Sequence, residues 1–99
     1  KGVTYKVTVI GKNAFKNHKK LEKVTIGKNI KEIKANAFYG CKKLNKVTFK
    51  GTSVKTIGKN AFKGIYKRAV FNVPAKKYKA YKKLLKKKTG YKSTMRVKK

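Results

Sequence analysis

Side-chain chemistry has few places to happen in this chain. Cys41, His18, Glu22 and Glu32 are of types that can serve as nucleophile, metal ligand or general acid and base, and Ser53 and Ser93 add two hydroxyls. A reactive cysteine needs a base beside it or a lowered pKa. Acid–base catalysis needs paired groups within hydrogen-bond reach in a shielded pocket. His18 and Glu22 stand four residues apart, so a helical turn would bring both to one face as two metal ligands. That falls short of the roughly three or four ligands a zinc site uses. The serines have no histidine at a telling spacing, and Gly11, Gly27, Gly40, Gly51, Gly58, Gly64 and Gly90 recur as punctuation, not as a phosphate loop. No catalytic, metal or cofactor site is expected.

The frame around these groups explains why they read as structural. Asn-Ala-Phe recurs at residues 13–15, 36–38 and 60–62, so that Phe15, Phe38 and Phe62 follow one another at 23 and then 24 residues. A fixed period of this length marks a repeat array. Aligned on the phenylalanines, the chain falls into apolar columns: Val7, Ile30 and Val54; Ile10, Ile33 and Ile57; Leu21 and Leu44; Val24, Val47 and Phe71; Ile26, Phe49 and Val73. Cys41 shares a column with His18 and Ile65, and a position that accepts all three is a packing position, where a free cysteine acts as a small hydrophobe. Glu22 and Glu32 fall in different columns, each among lysines.

Within one repeat, Val24-Thr25-Ile26, Val47-Thr48-Phe49 and Phe71-Asn72-Val73 alternate as half-buried strands do. A second extended piece is expected at Val7 to Ile10, Ile30 to Ile33 and Val54 to Ile57. Asn13, Asn36 and Asn60 then stand where a side-chain oxygen would cap a short helical turn. Stacked at the strand spacing of about 4.8 Å, the phenylalanines form a spine. The extra residue of the longer period falls in Lys50-Gly51-Thr52-Ser53, a turn between two strands. After Pro74, residues Ala75, Tyr78, Tyr81, Leu84 and Leu85 recur at helical spacing, with Thr89-Gly90 as the stop. Met95 and Val97 suit a last short strand. The reading is a solenoid of about three coils over residues 1–74, closed by a helix-containing cap over residues 75–99, with Tyr78, Tyr81 and Tyr91 packing the cap in place.

The charge is lopsided: 31 Lys and Arg against two carboxylates give a formal +29. Such a surface favours solubility and attraction to polyanions. Only Arg68 and Arg96 carry the planar fork that grips phosphate bidentately; the rest is a diffuse field of lysine point charges. The lysines form ridges, Lys19 with Lys42, Lys20 with Lys43 and Lys67, and Lys23 with Lys46. These ridges are first of all a solvated coat, and secondly a stripe for weak, salt-sensitive binding of an anionic polymer. Thr25, Thr48 and Asn72 point away from the buried strand residues and mark an outward strand face; with Lys20, Lys43, Lys67, Lys23 and Lys46 they form the candidate binding surface. Tyr39 and Tyr66 lie on the exterior in different columns, which argues against a base-stacking groove. Cys41 is alone, so no intrachain disulfide forms, and no apolar run approaches the roughly 20 residues of a membrane span. Val3 fills the column of Ile26 while its partner falls at Lys1, so the chain reads as part of a longer array whose first coil is truncated. It is expected to be a monomer or to associate weakly end to end there.

The stretch from Ile33 to Phe49 closely resembles the BspA-like (Treponema pallidum type) leucine-rich repeat, Ile-Gly-x-x-Ala-Phe-x-Gly-Cys-x-x-Leu-x-x-Val-x-Ile. The first copy has Asn17 and His18 in place of Gly-Cys; the third keeps Gly64 but has Ile65 and Arg68 in place of Cys and Leu, so Ala69 or Val70 is expected to turn inward there. The resemblance spans about residues 3–74, and the lysine-rich end is similar to the C-terminal ends of such proteins in Gram-positive bacteria. It implies a right-handed leucine-rich-repeat solenoid with short helical turns, and a non-catalytic protein of the bacterial surface or exterior used for adhesion or macromolecular binding. Its ligand would be an unknown protein or glycan. The reading from another class is a polycationic module that holds the protein on anionic cell-wall polymer or nucleic acid.

Overall fold

Alternating apolar residues at a fixed period put one strand of every repeat beside the same strand of the next. The computed structural model describes residues 9–99, so Val3 and Val7 lie outside the described residues. In chain order the strands are β1 (Val9–Ile10), β2 (Lys23–Ile26), β3 (Glu32–Ile33), β4 (Lys46–Phe49), β5 (Thr56–Ile57), β6 (Val70–Asn72) and β7 (Arg96–Lys98), with one helix, α1 (Tyr78–Leu84), between β6 and β7. They make two parallel sheets, ordered β1-β3-β5 and β2-β4-β6-β7. The register steps with the period: Ile26 pairs with Phe49, and Glu32 pairs with Thr56. The second extended piece is thus shorter than expected in the two copies described in full, two residues in each of β3 and β5.

Inward residues of the two sheets and the turns between them form one core, with Phe38 and Phe62 fully buried. The phenylalanine spine is present. Phe15 and Phe38 stack with centroids 5.2 Å apart, Phe38 and Phe62 at 5.3 Å, and Phe71 closes the row edge-on against Phe62. Between Ile33 and Phe49, the residues Phe38, Cys41, Leu44 and Val47 are all buried.

The asparagines do something other than cap helices. Asn13, Asn36 and Asn60 have φ of 61°, 58° and 60°, in the left-handed region, whereas a helix N-cap has an extended backbone. Asparagine is favoured because it tolerates that region better than other side chains. Four residues on, Asn17, Gly40 and Gly64 are left-handed as well, which explains why asparagine replaces glycine in the first copy. Between these two kinks the amides alternate. Ala37, Tyr39 and Cys41 donate to carbonyls of their own turn (Lys34, Asn36, Phe38), while Asn36, Phe38 and Gly40 donate to Lys59, Ala61 and Lys63 of the next repeat. The repeats are therefore joined by a ladder of tight turns, not by helices. Asn36→Ala is expected to cost about 1–2 kcal/mol, because alanine bears the full left-handed penalty, and Asn36→Gly much less. Urea denaturation checks this; an equal loss for glycine would mean that the asparagine side chain, not its backbone tolerance, is what the turn needs.

The 24-residue period has a structural use. In the shorter turn the Ile30 amide donates to the Gly27 carbonyl at 3.2 Å. In the longer one the corresponding pair, Val54 and Gly51, is bridged by the buried Tyr81 hydroxyl, which accepts from the Val54 amide at 3.1 Å and donates to the Gly51 carbonyl at 2.9 Å. Tyr81 also lies 5.2 Å from Phe49, ring to ring. Tyr91 packs on Phe71 at 5.9 Å, and Tyr78 lies against the core.

Helix α1 ends at Leu84, earlier than the Gly90 stop expected from spacing. Leu85 leaves helical geometry (φ −84°, ψ 74°) and is buried, and a separate tight turn, Lys87–Thr89, ends at the left-handed Gly90. Ala75, counted on the apolar stripe, is exposed. The carbonyls of Lys88 and Thr89 accept the Asn60 and Phe62 amides, so this turn continues the ladder, and β7 continues the larger sheet.

Candidate binding surface

Because side chains in a parallel sheet line up across strands, the register writes out the surface of the larger sheet. The row Val24, Val47, Phe71 and Val97 packs inward. On the opposite face run two rows: Lys23, Lys46, Val70 and Arg96, and beside it Thr25, Thr48, Asn72 and Lys98. All eight are exposed or half-buried. Thr25, Thr48, Asn72, Lys23 and Lys46 thus come together on one face. Lys20, Lys43 and Lys67 are exposed but sit in the turns leading into β2, β4 and β6, beside that face. Arg96 and Lys98 belong to the face and were missed, because nothing in the spacing of residues 75–99 says that β7 pairs in parallel with β6.

The third turn slips by one residue. In the second repeat the turn closes with the Leu44 amide on the Cys41 carbonyl; in the third it closes with Ala69 on Tyr66. Ala69 accordingly fills the buried slot, as one of the two residues expected there, and Arg68 is exposed.

The groups singled out for chemistry are spread apart. Cys41 is buried, its thiol donating to the Phe15 carbonyl at 3.0 Å. Burial pushes that thiol up, with backbone hydrogen bonding at His18 offsetting part of it, so the nucleophilic thiolate is disfavoured. His18, in the same column, is exposed because its turn is the outermost described. Glu22 lines a hollow with Lys42, Lys43, Asn45 and Tyr66, whereas Glu32 lines another with Lys34 and Lys59. Among the described residues no three His, Cys, Asp or Glu side chains cluster as a metal site would need. Of the exterior tyrosines, Tyr66 is exposed and Tyr39 is half-covered, with the Lys16 ammonium 5.5 Å over its ring. Among the described residues, no helix is long and apolar enough to cross a membrane.

Residues 3–94 match the family model described as "BspA type Leucine rich repeat region (6 copies)". The match runs past Pro74 into the segment whose turn and strand extend the ladder and the sheet. No curated protein and no solved structure matches the chain.

Proposed function

This chain belongs to the BspA-type leucine-rich-repeat family, and on that footing we propose that it is a non-catalytic repeat scaffold whose working surface is the outward face of the larger sheet. The observation that carries the reading is the register, which lays Thr25, Thr48 and Asn72 in one row of hydrogen-bonding groups flanked by Lys23 and Lys46. A continuous face with a row of neutral polar groups beside a row of charge suits a protein or glycan ligand. The reading includes a right-handed solenoid of about three coils over residues 1–74, a closing cap over residues 75–99, and display on the bacterial surface for adhesion. The protein is a monomer or associates weakly end to end.

A second reading has its own observation. Lys23 and Lys46 stand directly opposite in register on adjacent strands, with no carboxylate in their row. Like charges so placed repel, and a polyanion laid along the sheet relieves this. The alternative is therefore a polycationic module for anionic cell-wall polymer or nucleic acid.

Salt separates the two. The protein is titrated with a teichoic-acid mimic, a DNA duplex and a polyacidic glycan at about 50 and 200 mM salt. The polycationic reading expects tight binding of all three at low salt that collapses by about 10³-fold or more at the higher salt. The scaffold reading expects weak binding of these polymers and a ligand contact that survives moderate salt but fails on Thr48→Arg. Tight binding of every polymer at low salt, unaffected by Thr48→Arg, overturns the scaffold reading in favour of the polycation.

A further inference from the structure

The chain uses lysine almost everywhere it needs a cation. Of 31 basic residues only Arg68 and Arg96 are arginine, 28 positions apart in sequence, and the fold delivers both to one hollow lined by Arg68, Thr94 and Arg96. From this we propose that the hollow is a site for a phosphate group, gripped by the two guanidinium forks.

Three features of the backbone place them. The one-residue slip of the third turn puts Arg68, in the column of the buried Leu44, on the surface. The Thr94 hydroxyl donates to the carbonyl of Lys67, immediately before Arg68. The Arg96 amide donates to the carbonyl of Ala69, immediately after it, at 3.1 Å. Arg68 is thus tied on both sides to the segment that carries Arg96. Thr94 is a positioning residue, since its proton is already committed to Lys67.

Neither Glu22 nor Glu32 lines this hollow; each lines another. Guanidinium matches the oxygens of phosphate two at a time, which an ammonium does not. Arginine at the two positions that line one hollow, in a chain that otherwise uses lysine, is the arrangement a site reading that fork requires. The same chemistry serves a free phosphate, a phosphate monoester or a phosphodiester polymer lying along the adjoining sheet. The polymer arm alone rests on the polycationic reading above.

With only two arginines, the arginine Nε–H region of a ¹H–¹⁵N spectrum holds two side-chain signals. The intact chain is titrated with inorganic phosphate, methyl phosphate and dimethyl phosphate at constant ionic strength, with chloride and acetate as controls. Both signals are expected to move together and saturably with phosphate. Arg68→Lys, which keeps the net charge, weakens binding about tenfold or more and removes the saturable response of Arg96; Arg96→Lys does the reverse. Thr94→Val weakens binding less and loosens the joint response, while Lys55→Met, which removes an exposed charge outside both the hollow and the candidate surface, changes it by less than about twofold. Shifts that follow chloride as they follow phosphate overturn the proposal. So does Arg68→Lys with affinity unchanged, or Lys55→Met with as large an effect. The melting curve of each variant identifies any that is misfolded. If phosphate binds but the polymers do not, the site stands and only the polycationic reading falls.

Discussion

Phe38→Ala is expected to lower stability by about 3–5 kcal/mol, the usual range for removing a fully buried aromatic ring. The ring is 0% exposed and stacked on both faces, 5.2 Å from Phe15 and 5.3 Å from Phe62. Removal forfeits its burial and both stacking contacts, and it leaves a void in mid-spine that neighbours on a ladder of tight turns are poorly able to close. In a repeat protein each repeat is stabilised through its neighbours, so the break falls on two interfaces at once. A domain of this size holds about 5–15 kcal/mol in all, so the variant stands near its unfolding limit. Phe15, 39% exposed, stacks on one ring among the described residues, and Phe15→Ala is expected to cost less than half as much. Denaturant midpoints for the two variants decide the matter; equal losses would show that the spine is not what holds the repeats together.

Tyr81→Phe is the second large effect, about 1–3 kcal/mol for the removal of one oxygen. The ring stays, so packing against Phe49 is kept. What is lost is the bridge between the Val54 amide and the Gly51 carbonyl, two backbone groups at buried residues. The expected signature is local as well as global, with faster hydrogen exchange at the Val54 amide beyond the general loss of stability. The turn has one escape, which is to close directly as Ile30 on Gly27 does. Unchanged stability with a protected Val54 amide would show that it takes this route and that the hydroxyl is dispensable. The buried phenol is itself held above the usual phenol range by burial, with the Val54 hydrogen bond pulling the other way.

The columns were legible because each reports one property, burial, which repeats with the period. Ile33, Phe38, Cys41, Leu44, Val47 and Phe49 are inside for that reason, and Thr25, Thr48 and Asn72 outside by alternation. Elements that break the period were not legible. An asparagine that caps a helix and one that bends left-handed look alike in sequence; the clue was Asn17 in the glycine column, since glycine and asparagine share tolerance of positive φ and not capping alone. The slip that exposes Arg68 depends on which amide closes a turn, a competition that spacing does not record. Tyr81 finds its turn 27 residues upstream, and β7 finds β6 across an intervening helix. Both are non-local contacts made once, so no column announces them, and with β7 went half of the basic edge of the candidate surface.

The ladder of turns also has a direction. At every junction its crossing amides belong to the earlier repeat and its carbonyls to the later one, from Asn13, Phe15 and Asn17 through to Asn60 and Phe62. An array built this way is vectorial, like a filament with two unlike ends. Two copies related by a two-fold axis would set acceptor against acceptor or donor against donor, so a closed symmetric dimer through the ladder is forbidden. Any lengthening along this axis must be heterologous, head to tail, and such contacts do not close on themselves unless the rotation returns to its start.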